Sequence, residues 1–239
     1  MTRRRWIADE VSGNQAALVG AHAAHLAVVL RARVGQCFDI ATGEALRSGR
    51  ITSVTPERVE FELGEEIPAS GTANISLLLA IFKFDRMEWA IEKCTELGVA
   101  RIMPVISRRT DAHLVAASEK RVERWRRLSR QAAEQSRRSA PPEIAAPTKL
   151  SEALSLQAPL RIVLAESEAR TLLRDVVKPG ATDCGIVLAV GPEGGWVEDE
   201  LQSFQQAGWI SASLGNTILR AETAAMAATA IVASVLYSL

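Results

Sequence analysis

From residue 74 onward the chain alternates unbroken apolar runs with stripes at helical spacing, and that alternation restricts the possible folds more than any other feature. Asn74 to Phe82, Arg101 to Ile106, Leu160 to Ala165, Gly185 to Val190 and Trp209 to Leu214 each read as a strand. A strand apolar on both faces has to be covered on both, which is the condition of a parallel sheet inside an α/β protein. Between these runs, Met87, Ile91, Cys94 and Leu97 mark the buried stripe of a helix. Asp85 is its candidate N-cap, with Glu88 reaching back from N3, and Gly98 stops it. Further helices are expected from about Glu119 to Arg138, from Glu198 to Ala207 and over the last residues. The prediction is a mostly parallel sheet with helices on both faces. Ligands of such open sheets bind where strand C-termini meet helix N-termini.

The first 65 or so residues follow a different period. Val59, Phe61 and Leu63 alternate with Glu60 and Glu62 after a Thr55-Pro56-Glu57 turn, the pattern of a half-buried strand, and Gln36 to Ile40 reads as another. One helix, from about Gly20 to Arg31, is expected between them, with His22, Leu26, Val29 and Leu30 at its spacing. A small β-barrel fits this region. Glu65 to Gly71 breaks both periods with Pro, Gly and small residues, so it reads as a linker between a domain over 1–71 and one over 72–239.

Composition excludes the extreme classes. The chain has 239 residues, 28 basic and 28 acidic, and 48% apolar, enough to build a core and too apolar for a disordered tail. Cys37, Cys94 and Cys184 are widely spaced, an odd set with neither disulfide nor zinc spacing, and His22, His25 and His113 show no ligand pattern. No metal is expected, and a reducing cytoplasm is the expected compartment. Arg3, Arg4 and Arg5 resemble the start of an export signal, but Asp9-Glu10 falls where its apolar stretch belongs, so none is expected. The 17 residues from Thr223 to Leu239 carry no charge, yet six are Ala and five are Ser, Thr or Tyr. That composition suits a buried helix better than a membrane anchor.

The charge is balanced overall and uneven locally. Residues 1–71 carry 8 basic and 9 acidic side chains, 72–150 carry 15 and 9, and 151–239 carry 5 and 10. Within the basic third, Glu119 to Arg138 holds eight bases and three acids on a helical pattern. Such a face is either simply solvated or aimed at phosphate.

Two loops fall where the sheet rule places chemistry. Gly191-Pro192-Glu193-Gly194-Gly195 follows the strand ending at Val190; its glycines permit close backbone approach, and it is neither a dinucleotide fingerprint nor a Walker loop. Leu214-Gly215-Asn216-Thr217-Ile218-Leu219-Arg220-Ala221-Glu222 leads into the uncharged terminal stretch, with Arg220 and Glu222 as its last charges. Taken singly, each has a structural explanation: a tight turn for the first, and for Glu222 the positive end of a helix dipole with Arg220 as its partner.

Together, the two loops resemble those of the SPOUT methyltransferases, specifically the RsmE-type 16S ribosomal RNA uridine-N3 methyltransferases. The resemblance extends over nearly the whole chain. His25-Leu26-Ala27-Val28-Val29-Leu30-Arg31 with Gly35-Gln36 is similar to that family's PUA-like RNA-binding domain. Lys83, Glu92-Lys93-Cys94-Thr95-Glu96-Leu97-Gly98-Val99, Arg124-Trp125 and Ala133-Glu134-Gln135-Ser136-Arg137-Arg138 are similar to its body. The sequence departs from the family where Thr217 replaces a second arginine, where Val28 replaces a base, and where Arg108-Arg109-Thr110 replaces an acid-led Glu-Arg-Ser.

The resemblance implies a trefoil-knotted parallel sheet preceded by a PUA-like barrel, a homodimer, and S-adenosylmethionine as cofactor. It implies cofactor contacts from Leu188, Val190, Gly191, Glu193, Gly194, Gly195, Leu214, Gly215 and Leu219, and RNA contacts from Arg3, Arg4, Arg5, Arg31, Arg124, Arg127 and Arg138. The implied substrate is a decoding-region uridine of 16S RNA, free or in the small ribosomal subunit. Because uracil N3 carries a weakly acidic proton, the chemical problem is to remove it or to stabilise the oxygens left negative. Arg220 is the candidate for the second task, and Glu222 for orienting Arg220 or accepting the proton. A non-catalytic RNA-binding assembly protein and a SPOUT enzyme acting on tRNA are the alternatives.

Overall fold

The computed structural model describes residues 5–43, 45–67, 74–136, 138–178 and 185–236. Two compact units emerge, Met1–Gly71 with Ala133–Pro141, and Thr72–Ala132 with Pro142–Leu239.

The first unit is built on β1 (Arg5–Ile7), β2 (Glu10–Ser12), β3 (Gln15–Val19), β4 (Cys37–Ala41), β5 (Leu46–Val54) and β6 (Arg58–Ile67). Their order in the sheet is β1-β4-β5-β6-β3-β2. The two edges therefore belong to one continuous segment, Arg5–Ser12, and the sheet has to curl round on itself. Ala8 and Asp9, between those edge strands, donate their amides to Ala41 and Ala17. Trp6, Leu18, Leu26, Ile40, Ile51, Val59, Phe61 and Leu63 fill the inside of the curl. Two expectations shift. Glu65, Glu66 and Ile67 still belong to β6, where Glu66 and Ile67 pair with Arg47 and Leu46, because ladder bonds use backbone that side-chain charge does not disturb. The rest of the proposed linker lies outside the described residues.

The expected single helix over 20–31 is also different: α1 (Gly20–Ala24) passes into a π-helical turn at His25–Val29, and Arg31 takes a left-handed backbone at φ 52°. The wider turn rotates Val29 out of the predicted stripe, leaving it 64% exposed while Leu26 stays buried.

The second unit is the predicted α/β layer. Its strands are β7 (Ile75–Ala80), β8 (Arg101–Ile106), β9 (Glu143–Ile144), β10 (Thr148–Lys149), β11 (Leu160–Leu164), β12 (Ile186–Val190) and β13 (Ile210–Ala212). All pair in parallel, in the order β10-β8-β7-β12-β11-β13, with β9 beside β8. The helices are α2 (Phe84–Glu96), α3 (Ala112–Ser118), α4 (Val122–Gln135), α5 (Leu150–Ala153), α6 (Leu173–Val176), α7 (Glu198–Gln206) and α8 (Ala221–Leu236).

The central strands alternate between two cores, which is why their sequences are apolar on both faces. Ile75, Leu77 and Leu79, with Ile186, Leu188 and Val190, pack under α2 and α8, while Leu78, Ala80, Val187 and Ala189 face Trp196, Phe204 and Trp209. Cys94 is buried on α2, and burial pushes its thiol up to about 12 despite the hydroxyl that Thr229 of α8 donates to its Sγ. Cys37 is half-buried, and Cys184 lies outside the described residues.

The N-terminus of α2 is not the expected capping box. Lys83 is the N-cap residue, without a side-chain cap bond, and Asp85 lies within the first turn. Glu88 is turned away to Arg124, whose Nε and Nη2 donate to it at 2.7 and 2.8 Å. A bidentate ion pair between helices outcompetes a single bond to a backbone amide.

Candidate active site

The C-terminal ends of β11, β12 and β13 open onto a cavity of about 270 Å³. Three loops line it: Leu164 to Ser167, Val190 to Trp196 and Ala212 to Leu219, joined by Ala221 and Ala224 from the first turn of α8. This is the position that the strand-end rule assigns to a ligand. Arg109 and Glu166 are the ionisable lining residues; small, hydroxyl and apolar groups make up the rest, so much of the wall is backbone.

The glycine loop is held from outside. Gly195 adopts φ 69° and its amide closes a turn onto the Pro192 carbonyl at 2.8 Å. Arg109 donates to the Gly194 carbonyl. Buried Glu200, on α7, accepts from the Arg108 amide at 2.8 Å and the Val197 amide at 3.0 Å, tying the 107–110 segment to the end of the glycine loop. A Cβ on Gly194 would stand 3.0 Å from Arg109 Cδ, and one on Gly191 would stand 3.2 Å from Trp196 Nε1. That indole nitrogen is itself buried without an acceptor among the described residues, although its residue lines the cavity. A glycine cradle with an unspent donor beside it suits a ligand bound largely through backbone.

Of the predicted cofactor residues, Val190, Gly191, Gly194, Gly195, Leu214, Gly215 and Leu219 line the cavity. Leu188 is buried one pleat repeat behind, in the core under α2 and α8. Glu193 turns outward toward Arg86, 3.6 Å away. Arg220 is exposed between the lining residues Leu219 and Ala221 and makes no ion pair among the described residues. Glu222 is buried and faces Arg86 at 3.9 Å, so Arg220 is not its partner.

The predicted RNA-facing arginines are dispersed. Arg5 and Arg138 are half-buried, Arg31 and Arg127 are exposed, Arg124 is engaged by Glu88, and Arg3 and Arg4 lie outside the described residues. Val28, standing where a base is usual, is 59% exposed.

Sequence reasoning missed the Leu164–Ser167 segment and Trp196 as parts of this site, and Arg86 beside it. Their common signal, position just beyond a strand end, was available only for the residues after β11, β12 and β13; Arg86 approaches from α2. Among the described residues no cluster of metal-ligating side chains exists and no helix is long and apolar enough to cross a membrane.

The model of the RNA methyltransferase domain matches residues 70–233, which places this parallel sheet, with its cavity at the strand ends, among the RNA methyltransferases. A ribosomal RNA small subunit methyltransferase E of Rickettsia conorii is 32% identical over 218 residues, covering 87% of this chain and 85% of its own. Another, from Synechocystis, is 35% identical over 167 residues, a match that spans 69% of this chain and about half, 54%, of the relative. The crystal structure of the Neisseria gonorrhoeae enzyme bound to S-adenosyl methionine superposes with a TM-score of 0.85 at 31% identity, covering 98% of both chains. The chain belongs to the ribosomal RNA small subunit methyltransferase E family of the SPOUT superfamily. Its second unit is the trefoil-knotted SPOUT sheet, in which β12 and β13 flank β11, and its curled first sheet is the N-terminal barrel-like unit of that architecture.

Proposed function

We propose that this protein transfers the methyl group of S-adenosylmethionine to N3 of a decoding-region uridine in 16S ribosomal RNA. The observation that carries the reading is the cavity itself: the glycine loop and the 214–219 loop converge at the strand ends, in a chain that shares its fold with an enzyme crystallised with this cofactor. Bound there, S-adenosylmethionine supplies a methyl group on sulfonium, which needs an aligned acceptor and exclusion of water. Val190, Gly191, Gly194, Gly195, Leu214, Gly215 and Leu219 hold it, chiefly by backbone. Arg220, exposed at the rim and in no ion pair among the described residues, stabilises the uracil oxygens as the N3 proton leaves. The burial of Glu222 away from the lining fits a supporting part better than that of proton acceptor.

In this reading residues 1–71 form a PUA-like RNA-binding domain, residues 72–239 the catalytic domain, and the protein works as a cytoplasmic homodimer on 16S RNA or the small subunit. Primer extension tests it. N3 methylation blocks Watson–Crick pairing, so incubation of unmodified small subunits with the protein and S-adenosylmethionine should create one new reverse-transcription stop in the decoding region. No new stop, on subunits or on free RNA, would refute it.

A further inference from the structure

The glycine loop and the first turn of α8 both wall the cavity, and one side chain outside its lining connects them. Arg86, in the first turn of α2, places Nη1 3.6 Å from Glu193 Oε1 and Nε 3.9 Å from Glu222 Oε1. Among the described residues no other base lies within ion-pair distance of either carboxylate. The Glu222 side chain is only 3% exposed, and its Oε2 has no hydrogen-bond donor among the described residues. The dipole of α8 favours an anion at its first turn, but it is a partial charge, and a buried carboxylate needs a full counter-charge. Arg86 supplies it while also reaching the loop.

We propose that Arg86 is a positioning residue of this enzyme: one guanidinium holds Glu193 of the glycine loop and Glu222 at the head of α8, and so fixes the spacing of two walls of the cofactor cavity. The proposal rests on the cofactor reading above and adds a residue to it. Without that charge, Glu222 stays buried and uncompensated, and Glu193 loses its tie. The loop then samples positions in which Gly194 and Gly195 no longer meet the ligand.

Calorimetric titration of the full chain with S-adenosylmethionine tests this, with circular dichroism to verify folding. Arg86→Met keeps the bulk of the side chain and should weaken affinity about tenfold or more. Arg86→Lys retains a cation and should fall between that variant and wild type. The pair Arg86→Met with Glu222→Gln removes the stranded charge and should recover most of the loss, a non-additivity that a merely packing role for Arg86 would not produce. Wild-type affinity in a folded Arg86→Met protein overturns the proposal and leaves the cofactor reading standing. Equal loss in all three Arg86 variants also overturns it, because shape rather than charge would then matter. A wild-type chain that does not bind overturns the cofactor reading itself. Should Arg86→Met fail to fold, Glu193→Gln tests the loop half of the bridge: a several-fold weaker affinity is expected, and an unchanged one overturns the proposal.

Discussion

Gly194 and Gly195 are adjacent and glycine for different reasons. Gly194 does not take a positive φ, and its constraint is space: an added Cβ meets Arg109 Cδ at 3.0 Å, on a residue that lines the cavity. Gly195 has room, its nearest neighbour being Arg109 Nη1 at 4.0 Å, but a φ of 69° that L side chains resist by about 1–2 kcal/mol. Gly194→Val should therefore abolish S-adenosylmethionine binding with the melting temperature nearly unchanged, whereas Gly195→Val should lower both. Calorimetry and thermal unfolding read the two effects separately, and cofactor binding by Gly194→Val at wild-type affinity would remove this loop from the site. The sequence signalled that the segment was special through three glycines around Pro192. Which glycine answers to conformation and which to contact depended on Arg109, 85 residues away along the chain.

Helix α4 carries the densest positive charge and shows how an element sorts its own side chains. Val122, Trp125, Ser129 and Ala132 are buried on one face, Trp125 against Phe84 at a ring separation of 6.0 Å. The arginines project from the other, but they are not equivalent: Arg124 is paired with Glu88, Arg126 with Glu123, and Arg127 makes no ion pair among the described residues. Arg127→Ala should weaken RNA binding alike at all sequences and flatten its salt dependence by roughly one counterion, with single-turnover rate at saturating RNA little changed. Filter binding across a salt series checks this, and an unaltered slope would take Arg127 off the RNA path. Arg124→Ala should instead lower the melting temperature, since among the described residues it leaves Glu88 with Arg121 alone, 3.5 Å away. Helical periodicity gave the amphipathic face in advance. It could not rank the arginines, because the carboxylate that engages Arg124 lies on α2.

At the scale of the whole molecule, the terminal helix, uncharged from Thr223 onward, finds most of its cover within its own chain. Ala225, Ala228, Thr229, Val232, Ala233 and Leu236 of α8 are buried, packed with α2 and the central strands. Leu236 is thus already withdrawn from solvent in the single chain, while Met226 and Ile231 remain half-buried at the margin of that core. These two are the largest half-buried side chains of α8 available to a second copy, and Met226→Lys with Ile231→Lys should convert a dimer to a monomer by light scattering at micromolar concentration. A wild-type chain of monomer mass under those conditions would refute the homodimer. The sequence by itself determined the α/β character, the two-faced burial of the strands, the position of both cavity loops and the family. Each of these is written in local periodicity or in short contiguous motifs, which neighbouring residues specify without help from the rest of the chain. Only the tertiary structure decided that β12 enters between β7 and β11, that α1 widens into a π turn, and that Glu222 answers to Arg86 rather than to Arg220. Those outcomes depend on contacts between segments far apart in sequence, where packing and charge compensation choose among partners that local pattern leaves equal.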